Sequence, residues 1–217
     1  MGLIYQFCST LAQFTALNYF GLQVHGRENI LEEGPAILAS NHQSFLDPPL
    51  IGSCLHREIY YLARKTLFDH PMLGKLLPHL RVIGVDRDGA DMSALKAVIR
   101  LIKEGHSTIV FPEGTRTSDG RLLSPRPGLG LIVAKTLAPV VPVRIFGAFE
   151  AFPRTAKFPK PSTISIVFGK PIRFTKADTA GDPREIYQRI SDTIMAHIAA
   201  LENPAETSSF SPARFQI

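Results

Sequence analysis

Tryptophan is absent from this 217-residue chain, and cysteine nearly so, Cys8 and Cys54 being the only two. Two thiols so far apart give neither a disulfide framework nor a metal-binding spacing, so a reducing compartment is the default. The seven histidines are scattered, and no two lie three or four apart on a helix, which leaves a zinc site unsupported. Charge is missing from the start: residues 1–26 contain no Lys, Arg, Asp or Glu. This stretch is still not a membrane span, because Gln6, Ser9, Thr10, Gln13, Thr15 and Asn18 break it well short of the ~20 apolar residues required. Nor is it a secretory signal, which needs a positively charged start. Dense Lys/Arg runs and aromatic-interleaved basic stretches are also lacking, which argues against nucleic acid as a partner. The balance of 24 basic to 19 acidic residues, net +5 with pI near 9.4, instead favours phosphates, acidic carrier proteins or anionic lipid.

What is present is an ordinary globular composition, 45 % apolar and 20 % charged, with room for one sizeable α/β domain. Ile4, Phe7, Leu11 and Phe14 recur at helical spacing, predicting an N-terminal amphipathic helix within residues 1–25. Two fates are open to it: covering the sheet, or lying in a membrane interface with its aromatic face among acyl chains. Residues 26–202 then alternate strand and helix. Strands are expected at 35–40, 59–62, 81–85, 107–111, 140–146 and 163–168. Helices are expected at 67–80, 91–104, 128–137 and from Asp182 onward. Pro142 argues that its strand is an edge or irregularly paired. Residues 203–217 read as a flexible tail. The pattern implies a layered mixed sheet flanked by helices.

The most informative stretch is Asn41-His42-Gln43-Ser44-Phe45-Leu46-Asp47, in the turn between a buried strand and a helix entered through Pro48. A loop on a rigid strand can aim a reactive group without burying it. The chemistry a His and a nearby Asp offer is general-base catalysis: imidazole takes a proton while the carboxylate fixes its tautomer. Against this stands the plainer reading of Asp47 as a helix cap ahead of proline. A second candidate loop is Phe111-Pro112-Glu113-Gly114-Thr115-Arg116-Thr117. Its arginine is a natural phosphate receptor, and its glycine lets backbone approach a ligand. A surface Glu–Arg turn is the alternative there.

Together these segments resemble the glycerolipid acyltransferase family, the 1-acylglycerol-3-phosphate acyltransferases in particular. The stretch Ala63-Arg64-Lys65-Thr66-Leu67-Phe68, with Ile83-Gly84-Val85-Asp86-Arg87, is similar to that family's second block, and Val140-Val141-Pro142-Val143 to its fourth. The resemblance spans residues 26–174. It implies that His42 is the general base and Asp47 its orienting partner, in direct acyl transfer from acyl-CoA or acyl carrier protein to the hydroxyl of lysophosphatidate. Glu113, Gly114, Thr115 and Arg116 would hold the glycerol phosphate, with Lys65 and Arg87 adding positive charge. No cofactor beyond the thioester co-substrate and no metal is implied, and the expected place of work is the cytoplasmic face of a membrane. No Gly-x-Ser-x-Gly elbow offers a serine nucleophile. One departure is Ser124-Pro125-Arg126-Pro127-Gly128, where family members usually carry Phe-Lys-x-Gly. An acyltransferase for another lyso-lipid, such as a lysophospholipid or lyso-ornithine lipid, would share every motif. A non-catalytic lipid-binding protein on the same fold is the rival from a different class.

Overall fold

The computed structural model describes residues 2–85 and 92–204. Its strands are β1 (Gln23–His25), β2 (Ile37–Ser40), β3 (Tyr61–Arg64), β4 (Val82–Val85), β5 (Thr108–Val110), β6 (Val140–Phe146) and β7 (Ser165–Phe168). The α-helices are α1 (Leu3–Tyr19), α2 (Asp47–Ser53), α3 (Leu73–Leu76), α4 (Met92–Lys103), α5 (Gly128–Thr136), α6 (Ala148–Ala151) and α7 (Pro183–Ala199). Five strands make one sheet in the order β1-β7-β6-β2-β5, in which only the β6–β7 pairing is antiparallel. β3 and β4 pair in parallel beyond it. Tyr60 joins the two sheets: its N–H donates to the Ser107 carbonyl, and its own carbonyl accepts from Ile109. The carboxyl ends of β2, β3, β5 and β6 therefore face one edge, where α/β folds collect ligands and chemistry.

Side-chain alternation sorts the core into two layers. Leu38, Ile109, Val141, Val143 and Ile145 face α1 and α2, whereas Ile37, Ala39 and Val140 face α4, α5 and α7. The closing helix forms as its sequence predicts. Asp182 accepts from the Arg184 and Glu185 N–H groups, Pro183 opens the first turn, and Ile186, Ile190, Ile194 and Ile198 are buried. Gly130 allows α5 and α7 to touch, since a Cβ there would lie 1.9 Å from the Tyr187 carbonyl oxygen.

Of the edge or irregular pairing expected for Pro142, the edge is overturned and the irregular pairing is observed. Pro142 lies in β6, between β2 and β7, with Ala39 as its register partner. The reason is local: the Pro142 carbonyl accepts from Gly169, just past the end of β7, so its nitrogen also faces the bend where that ladder has stopped. The strand expected at 59–62 starts at Tyr61, and the three-residue β1 was not anticipated.

Of the two fates open to α1, the structure shows the packing one, with the apolar stripe left exposed. Tyr5 and Ala16 are buried, as is Phe20 just after the helix, and they close over Ile51, Cys54, Leu55 and Ile59. The Tyr5 hydroxyl accepts from the Ile59 N–H at 3.1 Å. Ile4, Phe7, Leu11 and Phe14, the residues that define the apolar stripe in sequence, point outward together with Leu3 and Leu17. No described helix is long and apolar enough to cross a membrane.

Candidate active site

β2 is covered on both edges, by β6 and β5, and ends at Ser40. Asn41 then extends the pairing with its side chain. Its Nδ2 donates to the Ile145 carbonyl at 3.0 Å, and its Oδ1 accepts from the Ile145 N–H at 2.9 Å. The side chain imitates one more residue of strand, so the turn carrying His42 leaves the sheet from a fixed point. His42 Nδ1 lies 2.7 Å from Asp47 Oδ2. That same oxygen accepts the Gln43 and Ser44 N–H groups at 2.6 and 2.7 Å.

This geometry decides between the two readings of Asp47. The residues that follow it, Pro48 and Pro49, have no N–H to be capped. The carboxylate instead turns back to the loop before it and grips the histidine. Asp47 is fully buried, and burial raises its carboxyl above the ordinary value, offset by the hydrogen bonds from His42, Ser44 and Gln43. With a carboxylate at Nδ1 the imidazole proton sits there, and Nε2 presents its lone pair. The His42 ring is stacked on Phe111, at a centroid distance of 3.8 Å and an interplanar angle of 15°.

The second loop meets the first at the backbone of His42. Glu113 Oε1 accepts the His42 N–H at 3.1 Å, and the Thr117 N–H donates to the His42 carbonyl at 2.9 Å. Glu113 Oε2 accepts from Leu123 at 3.3 Å. Expected as a substrate ligand, Glu113 is only 3 % exposed, with both oxygens turned to main-chain donors. Burial pushes its carboxyl up to about 7, against those two hydrogen bonds and helped by the Asp47 charge. Gly114 adopts φ +67°, and a Cβ there would come within 2.9 Å of the Arg126 side chain. Arg126, which keeps the basic charge within the stretch that departs from the family pattern, thus packs against this loop. The Arg116 guanidinium lies 3.4 Å from the centroid of the Phe45 ring, which puts a fixed positive charge on the turn that carries His42.

The remaining candidates are less closely gathered. Thr115 is half-buried between Gly114 and Arg116. Lys65 is exposed and follows β3, at the same sheet edge but beyond β5. Arg87 lies outside the described residues. Sequence reasoning did not assign roles to Phe45, Phe111 or Thr117. Their only signal was membership of the two motifs, because the partner of each comes from the other motif. Beside His42 an open cleft of about 710 Å³ is lined by Asn41, Gln43, Gly120, Arg121, Arg144 and Phe146, among others.

A histidine held by a buried carboxylate, with a guanidinium packed on the same turn at the carboxyl edge of an α/β sheet, is an arrangement suited to transferring a group to a hydroxyl. The family model described as Acyltransferase matches residues 21–146, more than half of the chain, and the protein belongs to that family. Within it, the chain is similar to glycerolipid acyltransferases of the PlsC-like kind. It is 28 % identical over 202 residues to the 1-acyl-sn-glycerol-3-phosphate acyltransferase of Bacillus subtilis (strain 168), covering 92 % of this chain and 98 % of that one. It is 31 % identical over 171 residues to the chloroplastic 1-acyl-sn-glycerol-3-phosphate acyltransferase LPAT1 of Arabidopsis thaliana. That match covers 77 % of this chain but 48 % of the plant protein, so the chain spans about half the length of that relative. The crystal structure of the 1-acyl-sn-glycerophosphate acyltransferase PlsC from Thermotoga maritima superposes with a TM-score of 0.71 at 26 % identity, covering 91 % of this chain and 80 % of that one.

Proposed function

We propose that this acyltransferase moves an acyl chain from acyl-CoA or acyl carrier protein to the sn-2 hydroxyl of lysophosphatidate, giving phosphatidate and a free thiol. The observation that carries the reading is the His42–Asp47 pair with Arg116 held over Phe45 on the same turn. His42 Nε2 removes the proton of the acceptor hydroxyl as its oxygen attacks the thioester carbonyl. The tetrahedral intermediate then collapses, the C–S bond breaks, and the imidazolium returns the proton to the departing thiolate. Asp47 stabilises the imidazolium between these steps. Arg116 binds the acceptor's phosphate, for which a planar guanidinium is suited, and Gly114 and Thr115 let main chain approach it. Lys65 adds positive charge at the rim, and Arg87 is assigned a further positive charge by the family resemblance alone. Glu113 acts by fixing the His42 peptide.

The membrane part of the reading rests on α1. Its outward row of Leu3, Phe7, Leu11, Phe14 and Leu17 is apolar and uncharged, as befits a helix lying in the interface on the cytoplasmic face. The test of function is acyl transfer by purified protein to lysophosphatidate, with glycerol 3-phosphate and a phosphate-free lyso-lipid as competing acceptors. Activity confined to lysophosphatidate and lost in His42→Ala is expected. Equal activity on the phosphate-free acceptor would remove Arg116 from its role.

A further inference from the structure

Between Ala151 and Ala177 the chain contains six basic residues and no acidic one. Three of the six, Arg154, Lys157 and Lys160, are exposed in the loop that follows α6, in which Phe158 is 82 % exposed. This loop is a built feature. The Lys160 N–H donates to the Ala151 carbonyl and closes its two ends, while Ala156 donates to Pro153 within it. Pro153, Pro159 and Pro161 stiffen it.

Its location is set by two further contacts. The Tyr19 hydroxyl donates to the Pro159 carbonyl at 3.2 Å, fastening the loop to the carboxyl end of α1, whose outer face is the exposed apolar row. The Ser44 hydroxyl donates to the Phe152 carbonyl at 2.8 Å, fastening the root of the loop to the turn that carries His42. A lone exposed Phe is unremarkable on a protein surface. An exposed Phe in a short loop with three exposed cations, moored to the end of an uncharged apolar helix face, has the composition of a lipid-surface contact.

We infer that the loop 153–160 is a second membrane contact, which selects anionic phospholipid and sets the catalytic turn at headgroup depth; the inference rests on the membrane-surface reading above. The two contacts divide the work. α1 carries no charged side chain, so its hold on a bilayer is indifferent to headgroup charge, whereas Arg154, Lys157 and Lys160 respond to it. Phe158 inserts at the boundary, and the three cations meet the phosphates around it.

The test measures partitioning of the full chain onto vesicles of phosphatidylcholine alone and of equal parts phosphatidylcholine and phosphatidylglycerol. The parent is expected to prefer the anionic vesicles. Replacing Arg154, Lys157 and Lys160 together by Ala should lower binding to the anionic vesicles by roughly 100-fold, at about fivefold per basic residue, and leave binding to the neutral ones nearly unchanged. Phe158→Ser should weaken both, with thermal melting confirming that each variant is folded. A triple variant that kept the parent's preference for anionic vesicles would overturn the role of the loop. A parent that bound neither vesicle would instead overturn the membrane reading itself, so the two failures are distinct.

Discussion

Asp47 begins a helix with two prolines behind it and spends its buried oxygen on the turn in front. Its hold on His42 depends on charge as well as shape. Asp47→Asn should keep the fold yet lower kcat, because an amide can present its N–H to Nδ1 and reverse the tautomer. His42→Ala should lower kcat by ~10²–10⁴, the scale of a lost general base, with little change in melting temperature. Single-turnover acyl transfer would measure both. Glu113 gives a different kind of prediction. Its folded-state value of about 7 lies above the ordinary carboxyl range, so the folded protein binds the proton more tightly than the unfolded chain. The contribution to stability is therefore fully present below about pH 4.5 and is lost as pH rises through about 7. Melting curves taken across that window should show Glu113→Gln with a flatter pH dependence than the parent. An identical slope would place the proton elsewhere.

At the scale of elements, α1 separates docking from display. Ala16 is fully buried against α2, so Ala16→Leu should overpack that contact and cost ~1–3 kcal/mol of stability. Phe7→Ser with Phe14→Ser changes only outward positions. It should leave melting intact and reduce binding to neutral vesicles, as a co-sedimentation assay would read. The sequence pattern identified this helix but not which side of it docks, because small Ala16 and the polar-tipped Tyr5 make the inner contact while the bulky residues face out. Helices with caps and a clean stripe, such as α7, were legible to within a residue or so, since their signals are local. β1 was not, because three residues gain strand geometry only by pairing with β7. Pro142 misled as to an edge for a related reason: its cost depends on where the neighbouring strand ends. In the candidate site, His42, Asp47 and Arg116 stand out through the family resemblance that the two motifs carry together, and neither spacing alone decides their roles. The stacking of Phe111, the support of Phe45 and the inward turn of Glu113 join segments distant in the chain, and no spacing encodes them.

For the whole molecule, the parallel strands bring His42, Asp47, Lys65 and the Glu113–Arg116 loop to one edge, and Tyr19 and Ser44 tie the 153–160 loop to both α1 and the turn that carries His42. On the proposed membrane reading, the enzyme meets its acceptor in two dimensions. Diluting lysophosphatidate with inert phospholipid at constant bulk concentration should therefore lower the initial rate, whereas a protein drawing monomers from water would be indifferent. Both main-chain groups of His42 are also engaged, the N–H by Glu113 and the carbonyl by Thr117. The peptide that carries the base is thereby coupled to local opening of the neighbouring loop. In deuterium, the His42 amide should exchange at the slow pace of the central strands rather than that of a surface turn, and Glu113→Ala should release it. On the proposed reading, the base is then held in position by the fold itself.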